Sequence, residues 1–401
     1  MLSARQITRA VLCALPVLGA AACAADPHYA DAGTPNANEL PPLVDPGPAT
    51  WPMGFHVVGN QIVDGNGQRV VLYGINRSGT EYRCVQGSGG FFDGPASEAS
   101  VAALTSWPNV NAVRVPLNES CWLGINGAVP AYSGDNYKQA ISNYVTLLHK
   151  YHLIPILELH WVGPGQTKAS RQQPLPDADH APEFWSDVAT TFVNDSGVVL
   201  EAYNEPFWAD HNMDSDPAWA CWRDGCSTSL LGQGSSGAIG TYQTAGMQSI
   251  VDAIRGTGST HVVLLGGLQY SNALTEWLTY QPTDPAGNLA AAWHVYNFNQ
   301  CINQDCWNAA PAGVAAHVPL VATEIGENDC AGSNFLTPLM NWLDETQSGY
   351  LAWSWNAYGA CQAASTTTNQ GGQPWSLITD FASATPNGGY AQTFHDHVAG
   401  L

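Results

Sequence analysis

Apolar residues return along the chain in eight short runs, at 70–76, 112–117, 154–161, 198–204, 261–268, 290–296, 320–325 and 350–356, and polar residues gather where each run stops. The runs are too short for buried helices and rich in Val, Ile, Leu and Tyr, so they read as strands. Between them the period changes. Over 136–151, Tyr137, Ile141, Tyr144, Val145 and Leu148 recur at spacings of three and four. Over 240–254, Tyr242, Met247, Ile250, Val251 and Ile254 do the same, and 97–107, 182–193, 334–347 and 391–398 carry weaker versions of the pattern. The spacing predicts helices there.

Strands that are apolar on both faces and separated by helices form a parallel sheet covered on both sides. Eight such units predict an α/β fold of the (β/α)8 TIM-barrel type. An open doubly wound sheet would call for a glycine-rich phosphate turn after the first strand, and none is present. Upstream, two β-rich stretches at 55–64 and 69–73 flank Gly65-Asn66-Gly67, the signature of a β-hairpin.

The first 22 residues read differently. Arg5 and Arg9 precede an apolar run, 10–22, that ends in small residues, which predicts a secretory signal peptide over 1–22. Residues 23–52 carry prolines at 27, 35, 41, 42, 46, 48 and 52 among Asn, Gly and Ala, and read as a Pro-rich linker before a catalytic domain at 53–401. Cys23 follows small residues in the manner of a lipoprotein leader, although Ala20 stands where a branched or leucyl residue is usual, so a lipid anchor there is left open. An extracytoplasmic or secreted location is expected.

That compartment changes the reading of the cysteines. Of ten, Cys13 and Cys23 belong to the leader region and eight remain, an even number that implies disulfides in an oxidising compartment. Cys221 with Cys226 and Cys301 with Cys306 are spaced to close small loops, which leaves Cys84 with Cys121 and Cys330 with Cys361. Eight cysteines allow many other pairings.

Charge narrows the partners. A formal net charge of −21 with only 12 Lys plus Arg disfavours nucleic acid and anionic membrane, both of which need clustered basic side chains. Fifteen Trp and fifteen Tyr supply flat apolar faces of the kind that pack on sugar rings, so a neutral polysaccharide or oligosaccharide is the expected partner. A monomer is the default expectation.

In a parallel barrel the active site lies at the carboxyl ends of the strands. Reading where each run stops gives Asn76; Arg114, with Asn118 and Glu119 beyond it; Glu158 and His160; Asn204 and Glu205; Gln269; His294 and Tyr296; Glu324; and Trp355. Pro206 has no N–H and pushes Glu205 toward extended geometry, so the fourth run must stop on that carboxylate. Glu324 ends a strand three units later. Two facing carboxylates are what cleavage of a glycosidic bond needs, one to protonate the leaving oxygen and one to attack or to activate water. Glu158 lies two residues before His160 and shares its face, so it reads as a buried ion-pair partner. A zinc hydrolase built on His160 and His294 would need a third convergent ligand, which the sequence does not supply, so no metal and no cofactor are expected in the chemistry.

The motifs Gly74-Ile75-Asn76, Asn111-Ala-Val-Arg-Val-Pro116, Leu157-Glu-Leu-His160, Tyr203-Asn-Glu-Pro206, His294-Val-Tyr296, Thr323-Glu324-Ile-Gly326 and Trp353-Ser-Trp355-Asn356 together resemble family 5 of the glycoside hydrolases, the cellulase and mannanase family of retaining barrels. The resemblance runs from Phe55 to the C-terminus. It implies Glu205 as acid/base and Glu324 as nucleophile, Asn204 on the substrate 2-hydroxyl, Arg114 and Tyr296 on the nucleophile, His160 and His294 in the site wall, and Trp355 as a sugar platform. Many relatives have Asp or Asn where Glu158 stands, and the Trp-rich loop over 207–237 matches no family pattern.

The expectation is therefore a retaining, cellulase-like glycoside hydrolase, endo-acting on a plant or microbial β-glucan or mannan. The alternatives are an exo-acting β-glycosidase or another β-glycanase on the same fold, and, from a different class, a non-catalytic carbohydrate-binding barrel, which the presence of both Glu205 and Glu324 disfavours.

Overall fold

A computed structural model describes residues 53–86, 89–208, 214–232, 237–364 and 374–401. The expected leader, the expected linker and Cys23 lie outside the described residues. The chain opens with three short antiparallel strands, β1 (His56–Val58), β2 (Gln61–Val63) and β3 (Arg69–Val70). The expected hairpin thus gains a strand, because Gly59, at φ +62°, turns the chain between β1 and β2. The Asn-Gly turn between β2 and β3 forms as its sequence demands. Asp64 Oδ1 accepts the N–H groups of Asn66 and Gln68, and Gly67 takes φ +75°.

Next come β4 (Tyr73–Asn76), β5 (Ala112–Asn118), β6 (Ile154–Trp161) and β7 (Val199–Glu201). A two-stranded excursion, β8 (Ser227–Leu231) and β9 (Ala238–Gln243), interrupts the series before β10 (Val263–Gly266), β11 (Leu289–Tyr296), β12 (Leu320–Gly326) and β13 (Gly349–Ala352). All strands but the first three and the β8–β9 pair belong to one closed parallel barrel. It shuts where β13 pairs with β4, Tyr350 opposite Tyr73 and Ala352 opposite Ile75. The (β/α)8 fold expected from the eight apolar runs is present.

The helix expected over 240–254 begins later, as Gly246–Gly256. Residues 240–243 instead pair with β8, Tyr242 opposite Thr228 and Gly240 opposite Leu230. Tyr242 belongs to this sheet: its hydroxyl donates to the Leu175 carbonyl at 2.6 Å, which ties the excursion to the loop after β6. The apolar spacing continues for six residues upstream of the helix, where a cross-strand partner overrides helix propensity. The helix Asp135–Lys150 follows its pattern, burying Tyr137, Ile141, Tyr144, Val145 and Leu148.

Along each barrel strand the inward positions change character from bottom to top. Ala112, Ile154, Ile156, Val199, Leu264, Ala290, Ala292, Val321 and Leu351 fill the lower interior, and Phe55 and Ile62 of the N-terminal sheet plug it from below. Side chains alternate across a strand. The next inward positions above this plug are therefore Arg114, Glu158, Glu201 and His294, all fully buried. The apolar floor holds a polar upper layer in place, and the catalytic face is built on that layer. The four expected disulfides are present, Cys84–Cys121, Cys221–Cys226, Cys301–Cys306 and Cys330–Cys361, with Cα separations of 5.1 to 6.1 Å.

Candidate active site

Arg114 is the hub. Its Nη1 donates to Glu324 Oε1 at 2.7 Å and to Asn76 Oδ1 at 3.0 Å, and its Nη2 reaches Asn204 Oδ1 at 2.9 Å. Nε and Nη2 grip both oxygens of Glu201, at 2.6 and 3.2 Å. Glu158 Oε1 stands 3.5 Å from Nη1. Burial alone would lower the guanidinium's proton affinity, but the three carboxylates Glu158, Glu201 and Glu324 more than offset this and secure its charge. A buried Arg with its fork filled on every side cannot rotate, so it fixes the residues it touches.

Glu324 receives a second donor. Tyr296 Oη donates to its Oε2 at 2.6 Å, so both carboxylate oxygens are oriented. The approach of the ring needs Gly326, where an added Cβ would meet Tyr296 at 3.0 Å. Opposite stands Glu205, with a side chain that is 16% exposed against 5% for Glu324 and so is the one more open to solvent. His294 bridges the two, its Nδ1 3.1 Å from Glu205 Oε1 and 3.6 Å from Glu324 Oε2. One oxygen from each carboxylate and one nitrogen of His294 all fall within 4.8 Å of one another.

His294 reaches the upper layer through its other nitrogen. Nε2 is 3.1 Å from Thr323 Oγ1, which donates to Glu201 Oε1 at 3.0 Å. Burial pushes the imidazole down, but Glu324, Glu201 and Glu205 around it prevail and raise it to about 9. The ring is therefore an imidazolium at neutral pH, donating from both nitrogens. Glu201 goes the other way: burial would raise it, and Arg114 with His294 holds it below the usual carboxylate range.

The loop ends are braced in turn. Gln172 donates to the Glu205 carbonyl at 2.6 Å, and its amide oxygen accepts from Asn204 Nδ2 at 3.2 Å. After β10 three residues, Gln269, Tyr270 and Ser271, take φ of +53°, +60° and +59°, a left-handed turn that non-glycine residues rarely adopt. The turn lets the Tyr270 N–H meet the Pro206 carbonyl at 2.9 Å and Ser271 Oγ meet the Asn204 carbonyl at 2.9 Å. Gln269 thus braces the site through its backbone turn.

The structure brings together Arg114, Asn204, Glu205, His294, Tyr296 and Glu324, and places His160 at the wall. His160 Nδ1 is 2.5 Å from Glu158 Oε1. Burial lowers its proton affinity, and Glu158, with Glu81 beyond, outweighs that and raises it. Glu158 is the buried ion-pair partner that its register with His160 implies. Trp355 is a correction. It is 1% exposed and packs edge-on against Trp107 with ring centroids 5.0 Å apart, so it has no face to offer a sugar. The indole in contact with the site belongs to Trp353, itself 4% exposed, whose ring stacks on His160 at 5.7 Å and an interplanar angle of 18°. β13 ends at Ala352, and the chain beyond it no longer follows strand alternation, so counting from the motif selects the wrong tryptophan.

Glu201, Thr323 and Gln172 were not singled out from sequence. A signal for Glu201 existed: a carboxylate inside an otherwise apolar strand, in register with Val199 and hence pointing inward. Gln172 carried none, since it sits in a long irregular loop that only tertiary structure folds over the strand ends.

A closed parallel barrel with paired carboxylates at the carboxyl ends of its strands defines a glycoside hydrolase. The sequence pattern of the cellulase family, glycosyl hydrolase family 5, matches residues 63–359, and the chain belongs to that family. It is 24% identical over 324 residues to a mannan endo-1,4-beta-mannosidase of Streptomyces lividans, covering 76% of this chain and 67% of that one. A second enzyme of that name, from Salipaludibacillus agaradhaerens, is 20% identical over 75% of this chain and 81% of its own length. Among solved structures, a beta-glucanase from Saccharophagus degradans superposes with a TM-score of 0.61 at 16% identity, covering 92% of this chain and 97% of that one. A beta-mannanase from Streptomyces thermolilacinus does so at 0.56 and 21% identity, over 86% and 95%.

Proposed function

We propose that the protein is an exported, retaining endo-β-glycanase in which Glu205 is the acid/base and Glu324 the nucleophile. The carrying observation is the carboxylate pair: oxygens of Glu205 and Glu324 lie within 4.8 Å of each other, and Glu324 alone is held by both Arg114 and Tyr296. Retaining enzymes keep their carboxyl groups roughly 5–5.5 Å apart, whereas inverting enzymes leave roughly 6.5–9.5 Å for the attacking water. The spacing supports double displacement.

In the first step Glu205 gives its proton to the glycosidic oxygen while a Glu324 oxygen attacks the anomeric carbon. The carbon–oxygen bond to the leaving sugar breaks and a glycosyl-enzyme ester forms. In the second, Glu205 takes a proton from water, whose oxygen attacks the same carbon and releases Glu324. Two inversions restore the starting configuration. Arg114 and Tyr296 orient the nucleophile, Asn204 offers its amide toward the sugar 2-hydroxyl, and Trp353 with His160 walls the site.

The substrate class is a β-linked mannan or glucan backbone. Mannan comes first because the two curated relatives described above bear that name, while the glucanase likeness concerns fold. Export is supported by the leader pattern and by four disulfides. Among the described residues no helix is long and apolar enough to cross a membrane.

The test is a screen of mannans, β-glucans and xylan, with product sizing and NMR of the first-formed anomer. Release of mid-length β-anomeric oligosaccharides supports the proposal. An α-anomer as first product, or monosaccharide alone from the first minutes, would overturn retention or endo action respectively. Glu324→Ala is expected to lower kcat by about 10⁴-fold or more with sugar binding largely kept.

A further inference from the structure

A second cluster of ionisable side chains lies at the rim of the barrel face, outside the catalytic pair. Glu119 opens the short helix after β5, and Asp177, Asp179 and His180 end the long loop after β6, immediately before the helix Ala181–Thr191. His180 Nδ1 faces an oxygen of each carboxylate, at 3.7 Å from Glu119 Oε1, 3.7 Å from Asp177 Oδ1 and 3.9 Å from Asp179 Oδ2. Every one of these distances is beyond a hydrogen bond.

Three carboxylates therefore surround one imidazole nitrogen and none bonds to it. Glu119 and Asp177 are fully buried, and Glu119 Oε2, Asp177 Oδ2 and His180 Nδ1 have no hydrogen-bond partner outside the cluster. Ligand atoms of Glu119, Asp177 and His180 lie within 4.8 Å of one another. Among the described residues the ion pairs of the three carboxylates are with His180 alone. An arrangement with up to three negative charges and one imidazole, two of the carboxylates out of water, lacks a compensating cation.

The geometry points to a divalent metal site, best suited to zinc, formed by Glu119, Asp177 and His180 with Asp179 as the fourth ligand. Four-coordinate zinc with bonds of about 2.0–2.1 Å to nitrogen and oxygen keeps its ligand atoms roughly 3.4 Å apart; the three distances from His180 Nδ1, 3.7–3.9 Å, need only a small contraction, and the exposed Asp179 side chain would swing inward to complete the set of Glu119, Asp177 and His180. The imidazole favours zinc over calcium or magnesium, which take all-oxygen sets. The oxygens that face His180 are each held by a backbone N–H, Glu119 Oε1 by Gly163 at 2.9 Å, Asp177 Oδ1 by His180 at 2.8 Å and Asp179 Oδ2 by Gly165 at 2.6 Å, which orients the three carboxylates and leaves each oxygen a further lone pair for an ion. Asp179, with its side chain 48% exposed, gives the ion a way in. Burial, and then Asp177, raises the Glu119 carboxyl well above its ordinary range, so without a metal a proton shared with Asp177 takes up part of the charge. A metal would displace that proton.

The site would matter beyond stability because of the loop it anchors. Residues 162–180 carry Gln172, which braces Glu205 and Asn204, and Gln173, whose carbonyl accepts from Tyr203 Oη at 2.6 Å. A cation joining Glu119 to 177–180 ties the far end of that loop to the helix after β5.

The experiment is calorimetric titration of zinc chloride into the full chain, produced without a histidine tag and stripped with chelator, with calcium chloride as comparator. The same samples are followed by thermal unfolding. Expected are one zinc per chain and a transition raised by about 3 °C or more at saturating zinc. His180→Ala and the surface variant Asp179→Asn should each weaken zinc by about 30-fold or more, while Glu324→Ala should bind it as the wild type does. Absence of saturable binding, binding unchanged in both His180→Ala and Asp179→Asn, binding lost in Glu324→Ala, or calcium binding tighter than zinc would each overturn the assignment. The result is independent of the proposed substrate.

Discussion

Arg114 and Glu201 face each other inside the barrel, Nε to Oε2 at 2.6 Å and Nη2 to Oε1 at 3.2 Å, with neither side chain accessible to water. The pair lies one layer beneath Glu205 and Glu324, the carboxylates proposed for the chemistry, and decides where Arg114 can point. With Glu201 occupying one edge of the guanidinium, Nη1 is left for Glu324 and the second N–H of Nη2 for Asn204.

Glu201→Gln is accordingly expected to reduce activity although Glu201 touches no substrate. Removing one partner of a buried pair costs about 3 kcal/mol or more, and a guanidinium free to shift slackens Glu324. The expected signature is a kcat loss of about 10-fold or more with a smaller change in KM, together with a lower urea midpoint. A variant equal to the wild type in both would show that Arg114 is positioned without it.

Tyr296→Phe keeps the ring against Gly326 and deletes one donor to Glu324. Loss of one preorganised donor to the reacting carboxylate is expected to lower kcat by on the order of 10²-fold while KM stays near the wild-type value. Steady-state kinetics on an aryl glycoside checks this, and far-UV circular dichroism verifies the fold.

His294 makes stability depend on pH in a defined direction. Its folded value, about 9, lies above the roughly 6.5 of a free histidine, so the folded state binds the proton more tightly. The contribution is whole below about pH 6.5 and is lost as pH rises through about 9, on the order of 3 kcal/mol in all. Urea midpoints of the wild type should fall across that window more steeply than those of His294→Asn. Parallel curves would refute the assignment.

Trp353 and Trp355 separate binding from stability. Trp355→Ala empties a buried site against Trp107 and should cost about 3–5 kcal/mol of unfolding free energy. Trp353→Ala, at an indole that is also buried but stacks on His160, is expected to raise KM or lower kcat beyond its own cost in stability, where Trp355→Ala is expected to leave the kinetics of the folded enzyme near the wild type. Reversal of the two phenotypes would restore Trp355 as the sugar platform.

The fold was legible because its signal is repeated. Eight apolar runs with helical spacing between them leave few architectures, and one misplaced boundary, such as the helix start near 240, does not alter the count. Arg114, Glu205 and Glu324 were legible for a related reason: in a parallel barrel the functional residues sit where strands stop, and the end of an apolar run is a local property. Glu201 shows the limit, since its role depends on meeting Arg114, 87 positions away in the chain.

By itself, then, the amino-acid sequence determined the alternation of strands and helices, the polar strand ends and the cysteine spacings, all properties of neighbours along the chain. Tertiary structure alone decided which of two tryptophans stacks on His160, how Arg114 divides its five N–H groups, that Gln172 braces Glu205, and that Glu119 meets Asp177 and His180. Each is a meeting of side chains from separate loops or strands, set by barrel closure and the plug of Phe55 and Ile62 beneath it, and no local pattern encodes the angle at which such elements converge.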